Sequence, residues 1–330
     1  MIPNQWYVVL NSDQVKNKPV GVTRLGEKLV FWRDIKGKVN CLRDRCIHRG
    51  VQLSLGKVID GRLQCPFHGF EYDSSGRVVL IPANGRNTPV PKGFIGQGYP
   101  THEAHGFIWI WWGDEPPPEV QPPRFFTGLV DGFSYGKAID PWEAHYSRVI
   151  ENQLDVMHLP FIHYNTIGRG SRTLVDGPGL QWIADDMFYV YVYNRIDDGT
   201  FPLKPSQVAV PDLHKDFRLE FIFPNLWQNR ISEDTRIVAA FVPVDEERTL
   251  LYLRFYQKSL RLPILRELIN RLAMPFNLYI AHQDRRVVTS HTGASALKCD
   301  EALISGDHPI IEYRRQRDKL KALANKNHGG

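Results

Sequence analysis

The 330-residue sequence predicts an α+β fold in two parts. Three features predict it: short β-type segments crowd the first 113 residues, a proline-rich break follows, and the longer remainder carries helical and strand-like patterns in separate blocks.

Between Trp6 and Gly113 the apolar runs WYVVL, PVGVTRL, KLVFWRD, KVNCL, RLQCPF, FEYDSSGRVV and FIWIWW are separated by Gly, Asn, Asp and Lys. Runs of roughly four to eight residues, rich in Val, Ile, Phe, Tyr and Trp and bounded by turn formers, read as strands of a small antiparallel domain. Asp34 to Gly37 and Asp73 to Gly76 read as hairpin loops, and Phe107 to Trp112 as a buried strand. The segment 114–124, with DEPPPE and further prolines at 122 and 123, can neither continue a sheet nor start a long helix. It is read as a stiff linker, which sets the domains at 1–113 and 125–330.

Past the linker, Pro141 to Met157 is predicted as a helix, with Trp142, Tyr146, Val149, Ile150 and Leu154 at helical spacing and Pro160 limiting it. From about 180 to 260 the runs MFYVYVYNRI, FRLEFIFPNLW, TRIVAAFVPV and TLLYLRFYQ suggest a second, larger antiparallel sheet. Pro263 to Val288 is helical in pattern, and Pro275 inside it allows one kinked helix or two consecutive ones.

An apolar fraction of 42% and a charged fraction of 23% are those of an ordinary globular protein. The net charge of +5 is mild and its residues are scattered, which argues against a nucleic-acid role. The densest basic stretch, Tyr313 to Lys326, reads as a solvated helix face. No apolar run approaches the roughly 18 residues of a membrane span, and MIPNQWYVVL lacks the features of a secretory signal. Of four cysteines, two fall in a metal-type pattern and Cys41 and Cys299 lie far apart, so a reducing cytoplasm is expected.

That pattern is Cys46-Ile47-His48, sixteen residues, then Cys65-Pro66-Phe67-His68. Two thiolates and two imidazoles suit either zinc or a two-iron cluster in which two histidines replace two cysteines on one iron. Gly50 and Gly69 supply glycines where backbone must pass close to sulfur. Cys46-Ile47-His48-Arg49-Gly50 with Cys65-Pro66-Phe67-His68-Gly69 resembles the Rieske cluster motif of ring-hydroxylating and demethylating oxygenases. Rieske subunits of respiratory complexes carry two more cysteines in these loops; here Val51 and Phe67 stand there, which favours the oxygenase branch.

A second constellation closes the predicted helix. Asp155 and His158, three apart, are expected on one helix face, and His163, past Pro160, can swing back toward them. Two histidines and a carboxylate leave open positions on iron for O₂. The pattern N-x-x-D-x-x-H-x₄-H from Asn152 to His163 resembles the mononuclear iron motif of the same oxygenases.

The resemblance implies a late aspartate on a long helix as the third ligand. Ile280 to Val288 is similar to that segment, so Asp284 is the choice over Asp300, Asp307 and His282. It also implies a curved antiparallel sheet gripping helices and a homotrimer in which Asp155 connects His68 of one subunit to His158 of the next. Asn152 is expected near the iron, with helix capping or packing as its plainer role. The implied cofactors are a [2Fe–2S] cluster and a mononuclear Fe(II), and the implied reactants are O₂ and a small organic substrate.

Nothing resembles a flavin or nicotinamide site, so electrons are expected from a ferredoxin, an NAD(P)H-dependent flavin reductase, or both. Arg43, Arg45 and Arg49 flank the cluster loop and suit an acidic donor, or are ordinary surface arginines. Monooxygenation, as hydroxylation or demethylation, is favoured over cis-dihydroxylation. A Rieske electron carrier would not need the residues past the linker, and a silent binding protein would not need every ligand type.

Overall fold

The computed structural model describes residues 1–114, 117, 122–129, 132–210, 217–258, 263–291 and 301–326. Cys299 and Asp300 therefore lie outside the described residues. Two compact units divide the chain, Met1–Arg124 and Phe125–Gly330.

The first unit holds eleven short strands among its described residues: β1 (Gln5–Asn11), β2 (Val20–Arg24), β3 (Glu27–Arg33), β4 (Val39–Arg43), β5 (Lys57–Ile59), β6 (Arg62–Gln64), β7 (Glu71–Tyr72), β8 (Val78–Leu80), β9 (Gly98–Tyr99), β10 (Thr101–Ala104) and β11 (Phe107–Trp112). They form three antiparallel sheets, ordered β1-β11-β10, β2-β3-β4-β9 and β5-β6-β7-β8. The uninterrupted run LVFW in β3 is explained by burial on both faces. Leu29 and Phe31 enter one core with Tyr7, Cys41 and Ile110. Val30 and Trp32 enter another with Leu42, Cys46, Cys65, Phe70 and Tyr72. The second core is the floor on which both cysteine loops rest.

Both expected hairpin loops are present. Asp34 Oδ1 accepts from the amides of Lys36 and Lys38, and Asp73 Oδ1 from those of Ser75 and Arg77, the local bonding that makes Asp a turn residue.

The second unit is built on β12 (Ser134–Trp142), β13 (Leu174–Ala184), β14 (Met187–Arg195), β15 (Arg218–Ile222), β16 (Leu226–Arg230), β17 (Thr235–Pro243) and β18 (Thr249–Gln257). These pair as one seven-stranded antiparallel sheet, ordered β12-β18-β17-β16-β15-β14-β13. Its helices are α1 (Tyr146–Leu154), α2 (Leu159–Ile162), α3 (Pro263–Val288) and α4 (His308–Lys326).

The helix expected over Pro141 to Met157 is shorter. Pro141 and Trp142 end strand β12, opposite Leu250 and Thr249, and the helix begins only at Tyr146 with His145 as its cap. Pro141 is tolerated because β12 is an edge strand. Trp142 is fully buried and its Nε1 donates to Asp140 at 2.8 Å, so tertiary burial rather than helical spacing placed it. Nor does Pro160 end a helix; it stands in the first turn of α2.

Helix α3 is a single helix with Pro275 inside it. The basic C-terminal helix is not simply solvated. Arg314 makes a two-pronged ion pair with Glu151 of α1 at 2.8 Å, and Tyr313 and Arg317 are buried.

Close packing of α3 on the edge strand depends on Gly136. A Cβ built there would lie 2.5 Å from the Asn270 carbonyl oxygen and 2.9 Å from Met274 Cγ, and backbone cannot yield as a side chain does. Gly136→Val is expected to destabilise the protein by about 1–3 kcal/mol, the usual penalty for overpacking, read as a lower denaturant midpoint. An unchanged midpoint would mean that α3 stands off the sheet.

Candidate active site

The two cysteine loops are built alike. The Cys46 amide donates to the Val51 carbonyl at 2.8 Å and the Gly50 amide to the Cys46 carbonyl at 2.8 Å. In the second loop Cys65 bonds Phe70 at 2.8 Å and Gly69 returns to Cys65 at 3.1 Å. Gly50 and Gly69 have φ of 74° and 73°, the left-handed conformation that lets the chain reverse after each histidine. The second loop tips the β6-β7 hairpin, whereas the first spans β4 to β5, which lie in different sheets.

Both cysteines are buried and both histidines are exposed. The His48 and His68 rings are 4.7 Å apart, and His48 stacks on Phe70 at 4.8 Å. Tyr72, placed by β7, donates its hydroxyl to Cys46 Sγ at 3.1 Å and accepts from the Ile47 amide at 3.1 Å. Burial, then the Cys46 sulfur, push the Tyr72 pKa far up, so it stays a donor.

Burial raises the Cys65 pKa, opposed by the amides of Phe67 and His68 that point at its sulfur. Buried sulfurs ringed by donors fit a group that keeps them anionic through bound metal. Among the described residues one group of three ligating side chains brings its donor atoms within 4.8 Å of one another, and it is not in these loops. Two enclosed sulfurs and two exposed imidazoles in paired loops fit a two-iron cluster held by two cysteines and two histidines.

That one group is His158, His163 and Asp284. Asp155 caps the C-terminus of α1, His158 caps the N-terminus of α2 and His163 its C-terminus. Asp155 and His158 therefore meet across an interhelical turn, not on a helix face as expected. Asp155 Oδ1 accepts from the Met157 amide at 2.7 Å, leaving Oδ2 3.6 Å from His158 Nδ1. Burial alone would raise Asp155, but His158 and nearby amides hold its pKa below the usual value.

Asp284 comes from the far end of α3. Its Oδ1 lies 3.0 Å from His163 Nε2 and 3.5 Å from His158 Nε2, yet this buried atom accepts no hydrogen bond. His163 Nδ1 is matched to Gln283 Oε1 at 2.9 Å, and Gln283 Nε2 donates in turn to Asn165. An amide oxygen only accepts, so the proton of neutral His163 sits on Nδ1 and the Nε2 lone pair faces Asp284. Two imidazole nitrogens converging on a carboxylate oxygen that is buried and accepts no hydrogen bond fit a metal cation.

Helix α3 is held in register by Asp140 of β12. Buried Asp140 Oδ1 accepts from Arg285 Nη1 at 2.7 Å and lies 3.1 Å from His282 Nε2. The residues flanking Asp284 thus face the strand while Asp284 faces the histidines. His282 is occupied at Asp140, and Asp307 accepts from the Ile304 amide, so neither joins the triad.

Beside the triad lies a cavity of about 370 Å³. Its sheet wall is one face of the register: Val192 and Asn194 on β14, Leu219 on β15, Trp227 and Asn229 on β16, Ile237 and Ala239 on β17, Leu251 and Leu253 on β18. Neither Lys nor Arg occurs among the described residues of the wall. Asn152 is off it; its neighbour Gln153 is on it, with Nε2 donating to Asp284 Oδ2 at 3.4 Å. Gln153, Gln283, Asp140 and Tyr72 were not singled out from sequence, and adjacency to Asp284 was the one signal for Gln283.

Residues 5–94 match the Rieske [2Fe–2S] domain, and residues 142–323, more than half of the chain, match the vanillate O-demethylase oxygenase C-terminal domain. Chloroplastic chlorophyllide a oxygenase of Chlamydomonas reinhardtii is 37% identical over 169 residues, 51% of this chain and 25% of that protein. The vanillate O-demethylase oxygenase subunit of Pseudomonas sp. (strain HR199 / DSM 7063) is 34% identical over 171 residues, 50% of this chain and 46% of that one. The chain thus spans less than half the length of these curated relatives. Among solved structures, NdmA of Pseudomonas putida CBB5 with caffeine superposes with a TM-score of 0.76 at 26% identity, covering 98% of this chain and 92% of that one. Two domains in this order, with the triad in the second, make the chain a member of the Rieske oxygenases, α+β proteins that use a [2Fe–2S] cluster and a mononuclear non-haem iron.

Proposed function

We propose that this chain is the terminal oxygenase of an electron-transfer system and performs monooxygenation, a hydroxylation or demethylation, on a small organic substrate in the cavity beside His158, His163 and Asp284. The observation that carries the reading is the convergence of those three donors, two of them buried, on the wall of an apolar cavity. A pure electron carrier has no use for it.

Cys46, His48, Cys65 and His68 would hold the cluster, and His158, His163 and Asp284 the Fe(II). When bound, the two groups supply single electrons and O₂ activation. The chain's own residues do the rest. Gln283 fixes the His163 tautomer, Gln153 holds the second Asp284 oxygen, and Asp140 fixes the turn of α3 that aims Asp284. Apolar side chains from five strands exclude water from the substrate.

Asp155 would orient His158 and connect it to His68 of a neighbouring copy in a homotrimer. In support, the His68 ring is exposed and the Asp155 side chain is 27% exposed, so each has an open edge. The donor would be a ferredoxin or flavin reductase docking at Arg45 and Arg49, both exposed beside His48, while Arg43 is paired with Glu27 at 3.1 Å. No helix among the described residues is long and apolar enough to cross a membrane. Buried Cys41, the cysteine of the described residues outside the cluster loops, suits the reducing cytoplasm we propose for it.

Three variants test the parts separately. Asp284→Ala is expected to lower iron from about three to about two per chain with the Rieske spectrum unchanged; retention of the third iron would remove Asp284 from the site. Asp155→Asn should keep all iron and yet lose at least ~10²-fold in reductant-coupled turnover, and near-normal turnover would end the bridging role. Tyr72→Phe removes a donor from Cys46 sulfur and should lower the cluster reduction potential by tens of millivolts, because the hydrogen bond favours the more negative, reduced form.

A further inference from the structure

Resting on that reading of the cavity as the substrate site, we propose that the substrate is an uncharged, mainly apolar molecule. It donates one hydrogen bond, from an N–H or O–H group, to the carbonyl oxygen of Asn277. The carbon to be oxidised lies at its other end, beside the triad.

Charge is the first argument. The charged groups on the described wall are the carboxylates Asp155 and Asp284 with their histidines, and no Lys or Arg joins them. The sheet's cations lie on the other face: Arg218, Arg230 and Arg236 sit opposite one another across β15, β16 and the next strand, β17, at the alternate positions of the register. A substrate carboxylate would be desolvated in an apolar cavity with no guanidinium or ammonium partner.

Hydrogen-bonding capacity is the second. The amide nitrogens of Asn194 and Asn277 are anchored within the protein, to the carbonyls of Val156 at 3.2 Å and Ala273 at 2.9 Å. Each is left with a carbonyl oxygen that has no partner among the described residues, so both offer an acceptor; Trp227 Nε1 and Asn229 Oδ1 on the same wall are also unpartnered, but both atoms are fully buried. Asn277 is the more buried, at 8% exposure. It lies seven residues before Asp284, on the same side of α3 with Ile280 and Ala281, which separates the two by about 10 Å along the axis. A molecule anchored at one end by Asn277 therefore reaches the triad with the other.

The test is equilibrium binding to iron-loaded protein, by anaerobic titration calorimetry without reductant. Three probes share one skeleton: 6-methoxy-2-naphthamide, its N,N-dimethylamide, and 6-methoxy-2-naphthoate. The primary amide carries its N–H and its methyl carbon at opposite ends of the ring system. It is expected to bind at least tenfold tighter than the carboxylate and several-fold tighter than the dimethylamide. Asn277→Leu should reduce the primary amide to the dimethylamide's affinity and leave the dimethylamide unchanged.

Equal or tighter binding of the naphthoate, no binding of either amide, or a primary amide indifferent to Asn277→Leu would each overturn the proposal. The probe comparison stands on the unaltered protein, whatever the variant does to folding. Iron content of the same samples separates the two readings. Loss of the third iron with the amide preference intact would sink the oxygenase reading alone, and full iron without the preference would sink this one.

Discussion

The candidate metal site depends on one packing contact, the seating of helix α3 on the edge strand β12. The two histidines arrive together, from the ends of a four-residue helix, but Asp284 arrives from more than a hundred residues away. It meets them only if α3 lies close to the sheet and at the right turn about its own axis. Gly136 sets the distance, because a side chain there would strike the helix backbone. Asp140 sets the rotation, by taking Arg285 and approaching His282 on either side of Asp284. A carboxylate with 5% exposure is costly to bury unless such partners surround it. Strand, helix and triad are therefore one mechanical unit.

What could be read from the sequence follows from how local each feature is. The cluster loops were legible because four ligands and two glycines lie within one short stretch. The strands of the second unit were legible as apolar runs, although FRLEFIFPNLW holds parts of two strands and β12 and β13 were not seen. Ser134 to Trp142 hides its strand because Trp142 and Tyr146 fall at helical spacing by coincidence, and only pairing with Thr249–Gln257 decides the matter. Asp155 and His158 were rightly read as neighbours for the wrong geometric reason. Gln153 was passed over for Asn152 because amides carry no signal of their own, and one residue's difference on a helix is about 100° of direction.

The cavity was legible as a region but not as a surface. Its walls come largely from the sheet expected over 180–260, yet a strand shows each face at alternate residues, and which face turns inward is a property of register. The same strands that give Trp227 and Asn229 to the cavity give Gln228 and Arg230 to the other side. There the arginines crowd one another: burial first, then Arg230, bring the Arg236 pKa down to about 10. Alternation thus gathers positive charge on one face of the sheet and keeps it off the other, where an apolar substrate would lie.

The two metal-binding regions are buried in opposite senses, and their chemistry requires it. In the first unit the sulfurs are enclosed and the imidazoles are at the surface, so the charge-bearing atoms are held among amide and hydroxyl donors while the edge proposed for electron transfer stays open. In the second, the imidazole of His163 and the carboxylate of Asp284 are enclosed and the access is through an apolar cavity. Oxygen activated before a substrate arrived would meet water or protein instead, so this site gains from dryness what the cluster gains from exposure. Asp155 combines the two conditions within the second unit, lying 3.6 Å from His158 and itself partly open to solvent.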